Sequence, residues 1–89
     1  MELKRSVTIA DIELSHPYVV DESHFKASHA DWLEVRDEWL AFVALIQDGD
    51  VIWEYEDIRV DLGFASGGGG FLIKRGETIV EQFATYAVG

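Results

Sequence analysis

The spacing of apolar residues changes abruptly at Gly49, and this change constrains the fold more than any other feature. Before Gly49, large apolar residues recur three or four positions apart, as on one face of a helix. They are Trp32, Val35, Trp39, Phe42, Val43 and Ile46. After Gly49, apolar and polar residues alternate, as in a strand. The chain is therefore predicted to pack a helix against a sheet.

The helix is predicted to span residues 29–47. Ser28 precedes it, and the serine oxygen can accept a hydrogen bond from the amide of Asp31, in an approximate capping box. Acidic residues in the first turns complement the positive end of the helix dipole. Gly49 lies where a C-terminal cap would place a residue with positive φ.

The segment after the helix is predicted to form a strand with one apolar face and one mixed face. Its two faces are Val51, Trp53 and Tyr55 on one side, and Ile52, Glu54 and Glu56 on the other. The alternation continues through residues 57–62, which could extend this strand, form a second strand or be an ordered crossing loop. Periodicity does not decide among these three.

A hairpin is predicted near the C-terminus. Apolar segments at residues 71–73 and 78–86 flank a possible two-residue turn at residues 75–76. This register would place Lys74 opposite Glu77, as an opposite-charge cross-strand pair. The glycine of the turn is expected to have positive φ.

The N-terminal segment is rich in β-branched residues and is predicted to be a strand over residues 6–14. The apolar positions switch parity near residues 10–11, which predicts a bulge or bend. The strand is expected to end at His16-Pro17, because proline cannot donate a ladder hydrogen bond.

These elements predict an α+β fold in a single domain over residues 1–89. The expected architecture is an antiparallel sheet of about four strands, with one helix packed on one face. The order along the chain is β-α-β-β-β. The short connections and the hairpin disfavour a parallel sheet.

Composition excludes several classes of function. The chain has no cysteine, which removes disulfides, thiolate zinc sites and a cysteine nucleophile. With 7 basic and 17 acidic residues the net charge is −10, so binding to nucleic acid or to an anionic membrane surface is disfavoured. No apolar run approaches the roughly 18 residues that a membrane span needs. The expected location is the cytoplasm.

The negative charge is concentrated in the middle of the chain. Residues 27–62 hold ten acidic residues against two arginines, which gives 2 − 10 = −8, whereas the last 27 residues are neutral. One interpretation is a solvated face that keeps the protein in solution. The other is a recognition surface for a basic partner.

No motif predicts a metal, a cofactor or a catalytic centre. His24 and His29 are five residues apart, whereas a helical zinc pair needs a spacing of four, so exposed loop histidines are expected. The triplet at residues 48–50 begins like a calcium loop but lacks its glycine and its bidentate glutamate. The run Gly67 to Gly70 precedes a strand instead of a helix, so it is expected to be a flexible loop or backbone in close approach to a neighbour.

A protein-binding surface is the remaining kind of site. One helix covers one face of a sheet, yet aromatic and β-branched residues occur at both parities of the predicted strands, so some are expected to contact a partner. The candidate partner-binding residues are Trp53, Glu54, Tyr55, Glu56, Asp57 and Asp61. A homodimer is the expected assembly.

Two segments carry a resemblance to a known group of proteins. The segments are Gly-Asp-Val-Ile-Trp-Glu-Tyr at residues 49–55 and Phe-Leu-Ile-Lys-Arg-Gly-Glu at residues 71–77, which a Thr follows at residue 85. Together they resemble a group of short uncharacterised bacterial proteins over residues 40–86, with a departure at residues 57–66. The resemblance implies a structural module and no activity.

The sequence therefore favours a small, acidic, non-catalytic protein-interaction domain that self-associates. Two alternatives remain open. One is an acidic inhibitor, such as an immunity or anti-defence protein, whose carboxylates block a basic nucleic-acid-binding site. The other is a small enzyme with a site between the sheet and its loops.

Overall fold

The computed structural model describes residues 1–89 and confirms an antiparallel four-stranded sheet of the α+β class. The strands are β1 (Glu2–Val7), β2 (Val51–Asp61), β3 (Phe64–Arg75) and β4 (Thr78–Val88), and they lie in the sheet in chain order. The helices are α1 (Ile9–Ser15) and α2 (His29–Ala44), with short 3-10 turns at Pro17–Val19 and Glu22–His24. All the helices lie between β1 and β2 in the chain.

Helix α1 replaces the second half of the strand predicted over residues 6–14, so the prediction of a single helix is wrong. Thr8 and Asp11 form a reciprocal capping box: the Asp11 amide donates to Thr8 Oγ1 at 3.1 Å, and the Thr8 amide donates to the Asp11 carboxylate at 2.9 Å. Ile12 is fully buried in the core. The apolar positions switch parity near residues 10–11 because Ile9 and Ile12 lie three residues apart on one face of this helix. They do not mark a bulge in a strand.

Helix α2 begins where it was predicted. The Asp31 amide donates to Ser28 Oγ at 3.1 Å. The apolar stripe faces the sheet: Trp32, Trp39 and Phe42 are buried, and Val35, Val43 and Ile46 pack against the core. The periodicity therefore identified the buried face of this helix correctly.

The helix ends at Ala44, three residues before the predicted end. The amides at residues 45–46 bond three residues back, which tightens the last turn. The Gln47 amide then donates to the Asp50 carboxylate at 2.8 Å. Gly49 has the expected positive φ of 88°, but it lies in this following turn instead of capping the helix.

Residues 57–70, which the sequence left undecided, form a long hairpin of β2 and β3. The turn is Leu62-Gly63, with φ values of 51° and 81°, as in a type I′ turn. β1 pairs with β2 only as far as Glu56, and β4 pairs with β3 only as far as Gly67. Residues 59–66 therefore project from the sheet as a two-stranded ribbon, which we call the arm.

The β3–β4 hairpin is shifted by one residue from the predicted register. Arg75 pairs with Thr78, so the turn consists of Gly76 and Glu77, and Lys74 does not oppose Glu77 in the ladder. Gly76 has φ of 61°, which confirms the expected positive value. Glycine at the first central position is what a type II′ turn requires.

The glycine run lies inside β3 and not in a loop, so the flexible-loop interpretation is wrong and the close-approach interpretation is confirmed. A Cβ on Gly67 would overlap the carbonyl oxygen of Asp57, and one on Gly70 would overlap that of Phe83. Gly69 lies beneath the ring of Tyr86. The glycines let three strands approach closely where β4 is irregular.

The core lies between the helices and one face of the sheet, which we call the helical face. Its buried members are Val7, Ile12, Val19, Trp39, Phe42, Ile52, Phe71, Ile73 and Phe83. The Trp39 ring lies 5.9 Å from Phe42 and 5.4 Å from Phe83, measured between centroids. This aromatic contact joins α2 to β4.

Candidate interaction surfaces

Strand β2 places the six predicted partner-binding residues on two different faces of the sheet. Glu54 and Glu56 share the parity of Ile52 and lie on the helical face. Trp53, Tyr55, Asp57 and Asp61 have the opposite parity and lie on the face that no helix covers, which we call the open face. The predicted set therefore does not form one continuous surface.

The open face is less exposed than its sequence suggested. Tyr55 is 6% exposed and Leu72 is fully buried, although neither belongs to the core cluster. Trp53, which is half-buried, is the register partner of Leu72. Cross-strand pairs have Cβ atoms about 5 Å apart, so neighbouring side chains of the same sheet cover one another. These aromatic residues therefore need no partner to be sheltered from water.

Three of the four acidic residues of β2 have a cationic or hydroxyl neighbour within the chain. The Glu54 carboxylate lies 3.5 Å from Arg5 Nε, and the Tyr86 hydroxyl donates to Glu56 at 3.2 Å. The Asp57 carboxylate lies 3.5 Å from the N-terminal ammonium. These carboxylates are thus divided between two faces instead of converging on one.

A pocket of about 270 Å³ opens on the helical face, beside the end of α1. We call it the polar pocket, and its side chains come from all four strands and from the residue after α1. Among them are Lys4, His16, Glu54, Glu56, Phe71 and Tyr86. Three of the predicted site residues line the pocket, Glu54, Tyr55 and Glu56, together with residues such as Lys4 and Tyr86 that the sequence patterns did not single out.

Burial and neighbouring polar groups shift the pKa values of three groups in this pocket. Desolvation lowers the pKa of His16, with a smaller opposing effect from Glu54. Desolvation also raises the pKa of Tyr86, and Glu56 raises it further. A hydrogen bond to Glu2 raises the pKa of Lys4. At neutral pH His16 and Tyr86 are uncharged, and Lys4 is the cation.

Of the three histidines, only His16 departs from the expectation of exposure. His16 is half-buried, with its ring edge-on to Phe71 at a centroid distance of 5.2 Å. His24 and His29 are exposed and lie near acidic residues, with His29 Nδ1 at 2.6 Å from Glu22. No group of three or more potential metal ligands is present in the structure.

The arm exposes three apolar side chains to solvent. Val60 is 73% exposed, Leu62 is 90% exposed and Phe64 is 78% exposed. Leu62 is also the only residue other than glycine with positive φ. The sequence alternation at this position was visible, but nothing in it showed that the segment would project from the sheet.

The two edges of the sheet differ in character. β1 carries Glu2, Lys4 and Arg5, with an irregularity after Leu3, and such features discourage pairing with another chain. β4 has eleven residues, of which only Glu81 is charged, although it also contains two irregularities. Its outer edge is free and runs toward the base of the arm.

Comparisons with protein-family models, with curated proteins and with solved structures found no match to this chain. The resemblance described for residues 40–86 therefore stays a prediction. Neither α-helix has the length and the apolar run needed to cross a membrane.

Proposed function

We propose that this chain is a small protein-interaction domain that self-associates through its arm. The observation that carries the proposal is the exposure of Val60, Leu62 and Phe64 on a ribbon that no other element of the chain covers. A cytoplasmic location, which the absence of cysteine fits, is part of the proposal.

A two-stranded ribbon is only marginally stable by itself in water. Residues 59–66 have no third strand on either side and no helix above them. The register pairs Phe64 with Asp61, so Phe64 and Val60 leave opposite faces of the ribbon, with Leu62 at its tip. Exposed apolar groups of this kind on a small protein usually mark an interface. Contact with a partner would bury these side chains and hold the ribbon in place.

The conformation of Leu62 supports a role in binding. A left-handed conformation costs an L-residue with a Cβ roughly 1–2 kcal/mol, and Asn, Asp or Gly is the usual residue in a type I′ turn. Leu62 is 90% exposed, so it gains almost no contact within its own chain to offset this cost. Apolar contact with another molecule would offset it.

A second copy is the partner that the charge distribution favours. From residue 58 onward the chain holds Arg59, Lys74 and Arg75 against Asp61, Glu77 and Glu81, so 3 − 3 = 0, whereas the first 57 residues hold the full −10. Two acidic copies that meet through the arm and the adjacent β4 edge avoid bringing like charges together. Such an isologous contact closes on itself as a dimer.

The two alternatives have less support. An acidic inhibitor needs carboxylates gathered on one surface, whereas those of Glu54 and Glu56 lie on the opposite face from those of Asp57 and Asp61. A small enzyme would use the polar pocket, where His16 is the one group suited to proton transfer near neutral pH. Its Nδ1 lies 2.8 Å from Ser15 Oγ, an exposed contact at the end of α1.

The proposal is tested with Leu62→Asn, which removes the exposed apolar group and supplies a residue suited to a type I′ turn. The variant should keep or gain thermal stability and lose self-association in sedimentation velocity. Leu14→Asn is the matched control, because Leu14 is 83% exposed on α1, away from the arm. Equal association of Leu62→Asn and the parent protein would refute the proposal.

A further inference from the structure

The polar pocket has two carboxylates on one wall. Glu54 and Glu56 are two residues apart on β2, so their side chains leave the same face of the sheet about 7 Å apart. Both are partly buried at the side of the pocket. A planar cation that enters between them would meet an acceptor on more than one side.

Aromatic rings form other parts of the same pocket. Phe71 is 2% exposed and lies at the base, and the His16 ring meets it at an interplanar angle of 90°. The Tyr86 ring lies over Gly69, whose missing side chain makes room for it. Aromatic faces attract cations and stack with planar groups.

The two carboxylates are only loosely held by their own chain. Charge-assisted hydrogen bonds are typically about 2.5–2.9 Å long. The contact between Glu54 and Arg5 is 3.5 Å, and the one between Glu56 and the Tyr86 hydroxyl is 3.2 Å. Both carboxylates therefore keep the capacity to accept further, shorter hydrogen bonds.

The charge of the pocket favours a cation. Its lining includes two carboxylates, one ammonium and an uncharged imidazole. Lys4 is the ammonium, and its Nζ lies 3.3 Å from Glu2. The remaining negative charge is reinforced by the net charge of −10 on the whole chain.

We propose that the polar pocket binds a guanidinium group, with Glu54 and Glu56 as its acceptors and the Tyr86 ring stacked against it. A guanidinium is planar, donates hydrogen bonds in two directions and stacks on aromatic rings, whereas an ammonium is a compact, strongly hydrated point charge. A volume of about 270 Å³ suits one side-chain headgroup and not a larger ligand. The pocket shares no residue with the arm, although Thr85 and Tyr86 of its lining belong to β4, whose free edge is part of the proposed dimer contact.

The test is a titration followed by two-dimensional amide NMR, with four probes. N-acetyl-arginine amide should give saturable shifts at Gly70 and Thr85, and N-acetyl-lysine amide should bind at least about tenfold more weakly. The peptide Gly-Arg-Gly and free arginine separate the two possible sources of the group. Tighter binding of the peptide would assign the site to a protein partner, and tighter binding of free arginine would assign it to a small molecule.

Variants give the test its controls. Glu56→Gln keeps the size of the side chain and should weaken binding of N-acetyl-arginine amide by about tenfold or more. Glu34→Gln makes the same charge change on the exposed surface of α2 and should leave the affinity unchanged. Tyr86→Ala removes the ring that stacks on the guanidinium and should also weaken binding. Equal affinity in the two glutamine variants, or shifts that do not saturate, would overturn the proposal.

Discussion

Asp50 and Arg75 form a paired hydrogen bond that ties the turn after α2 to the end of β3. Arg75 Nε donates to Asp50 Oδ1 and Nη2 donates to Oδ2, each at 2.9 Å. The same guanidinium reaches the Leu45 carbonyl oxygen at 3.2 Å, near the end of the helix. The Asp50 side chain is 1% exposed, whereas the Arg75 side chain is 43% exposed, so only the carboxylate side of the pair is sheltered from solvent.

We expect Asp50→Asn to lower the melting temperature by several degrees at neutral pH. The hydrogen bonds from Arg75 and then from the Gln47 amide lower the pKa of Asp50. A carboxylate whose pKa is lower in the folded state stabilises that state above its ordinary pKa of about 3.9, and this contribution is lost as the pH falls through the folded pKa. The difference in melting temperature between the parent protein and the variant should therefore become smaller below about pH 4.

Circular dichroism melts at a series of pH values measure this difference. Asp48→Asn is the control, because Asp48 is exposed and lies two residues away in the same turn. It should change the melting temperature little at any pH. If the melting temperatures of the parent protein and Asp50→Asn differed by the same amount down to about pH 2, ionisation of this carboxyl would not contribute to stability.

Trp39→Ala should cost about 3–5 kcal/mol in the free energy of unfolding, measured in urea. Trp39 is 3% exposed, stacks on Phe42 of the same helix and joins α2 to the sheet through Phe83. Leu40→Ala is the control on the same helix, because Leu40 is 51% exposed and should cost much less. Similar losses in the two variants would mean that the buried stripe is wrongly assigned.

Gly76→Val should destabilise the protein by about 1–2 kcal/mol, because Gly76 has positive φ in the β3–β4 turn. Glu77→Val tests the neighbouring turn position, where the side chain is fully exposed. We expect the second variant to unfold at nearly the parent urea concentration. If Glu77→Val destabilised the protein more than Gly76→Val, the turn position that requires positive φ would be residue 77.

Gly70→Ala should be more damaging than Gly63→Ala. A Cβ at Gly70 would overlap the carbonyl oxygen of Phe83 and force β3 and β4 apart, which should cost about 1–3 kcal/mol or more. A Cβ at Gly63 meets nothing within 4 Å, so only its positive φ opposes the change. If Gly70→Ala melted like the parent protein, the close approach of these strands would be in doubt.

The sequence correctly predicted the elements that depend on residues close together in the chain. The apolar stripe of α2 and the cap at Ser28 were both readable, because helix periodicity and capping depend on neighbours in the chain. The signal for α1 was also present, in the pair Thr8 and Asp11. The β-branched residues around that pair favoured a strand, and the capping box decided the outcome.

The arm and the polar pocket depend on relationships that one sequence does not display. The Leu62-Gly63 turn lacks the Asn or Asp that usually marks a type I′ turn. Whether a hairpin projects depends on where its neighbours β1 and β4 stop pairing. The pocket joins His16, Glu56 and Tyr86 from distant parts of the chain, and only the folded sheet brings them together.

Sedimentation velocity of the parent protein, from low to high micromolar concentration, tests self-association most directly. The weight-average mass should rise from the 10.0 kDa of one chain toward twice that value. Added salt should not dissociate the dimer, because the proposed contact lies in the neutral segment 58–89 and salt screens the repulsion between the acidic segments 1–57 of the two copies. A mass that stays at 10.0 kDa at every concentration and at every salt level would contradict the proposed function.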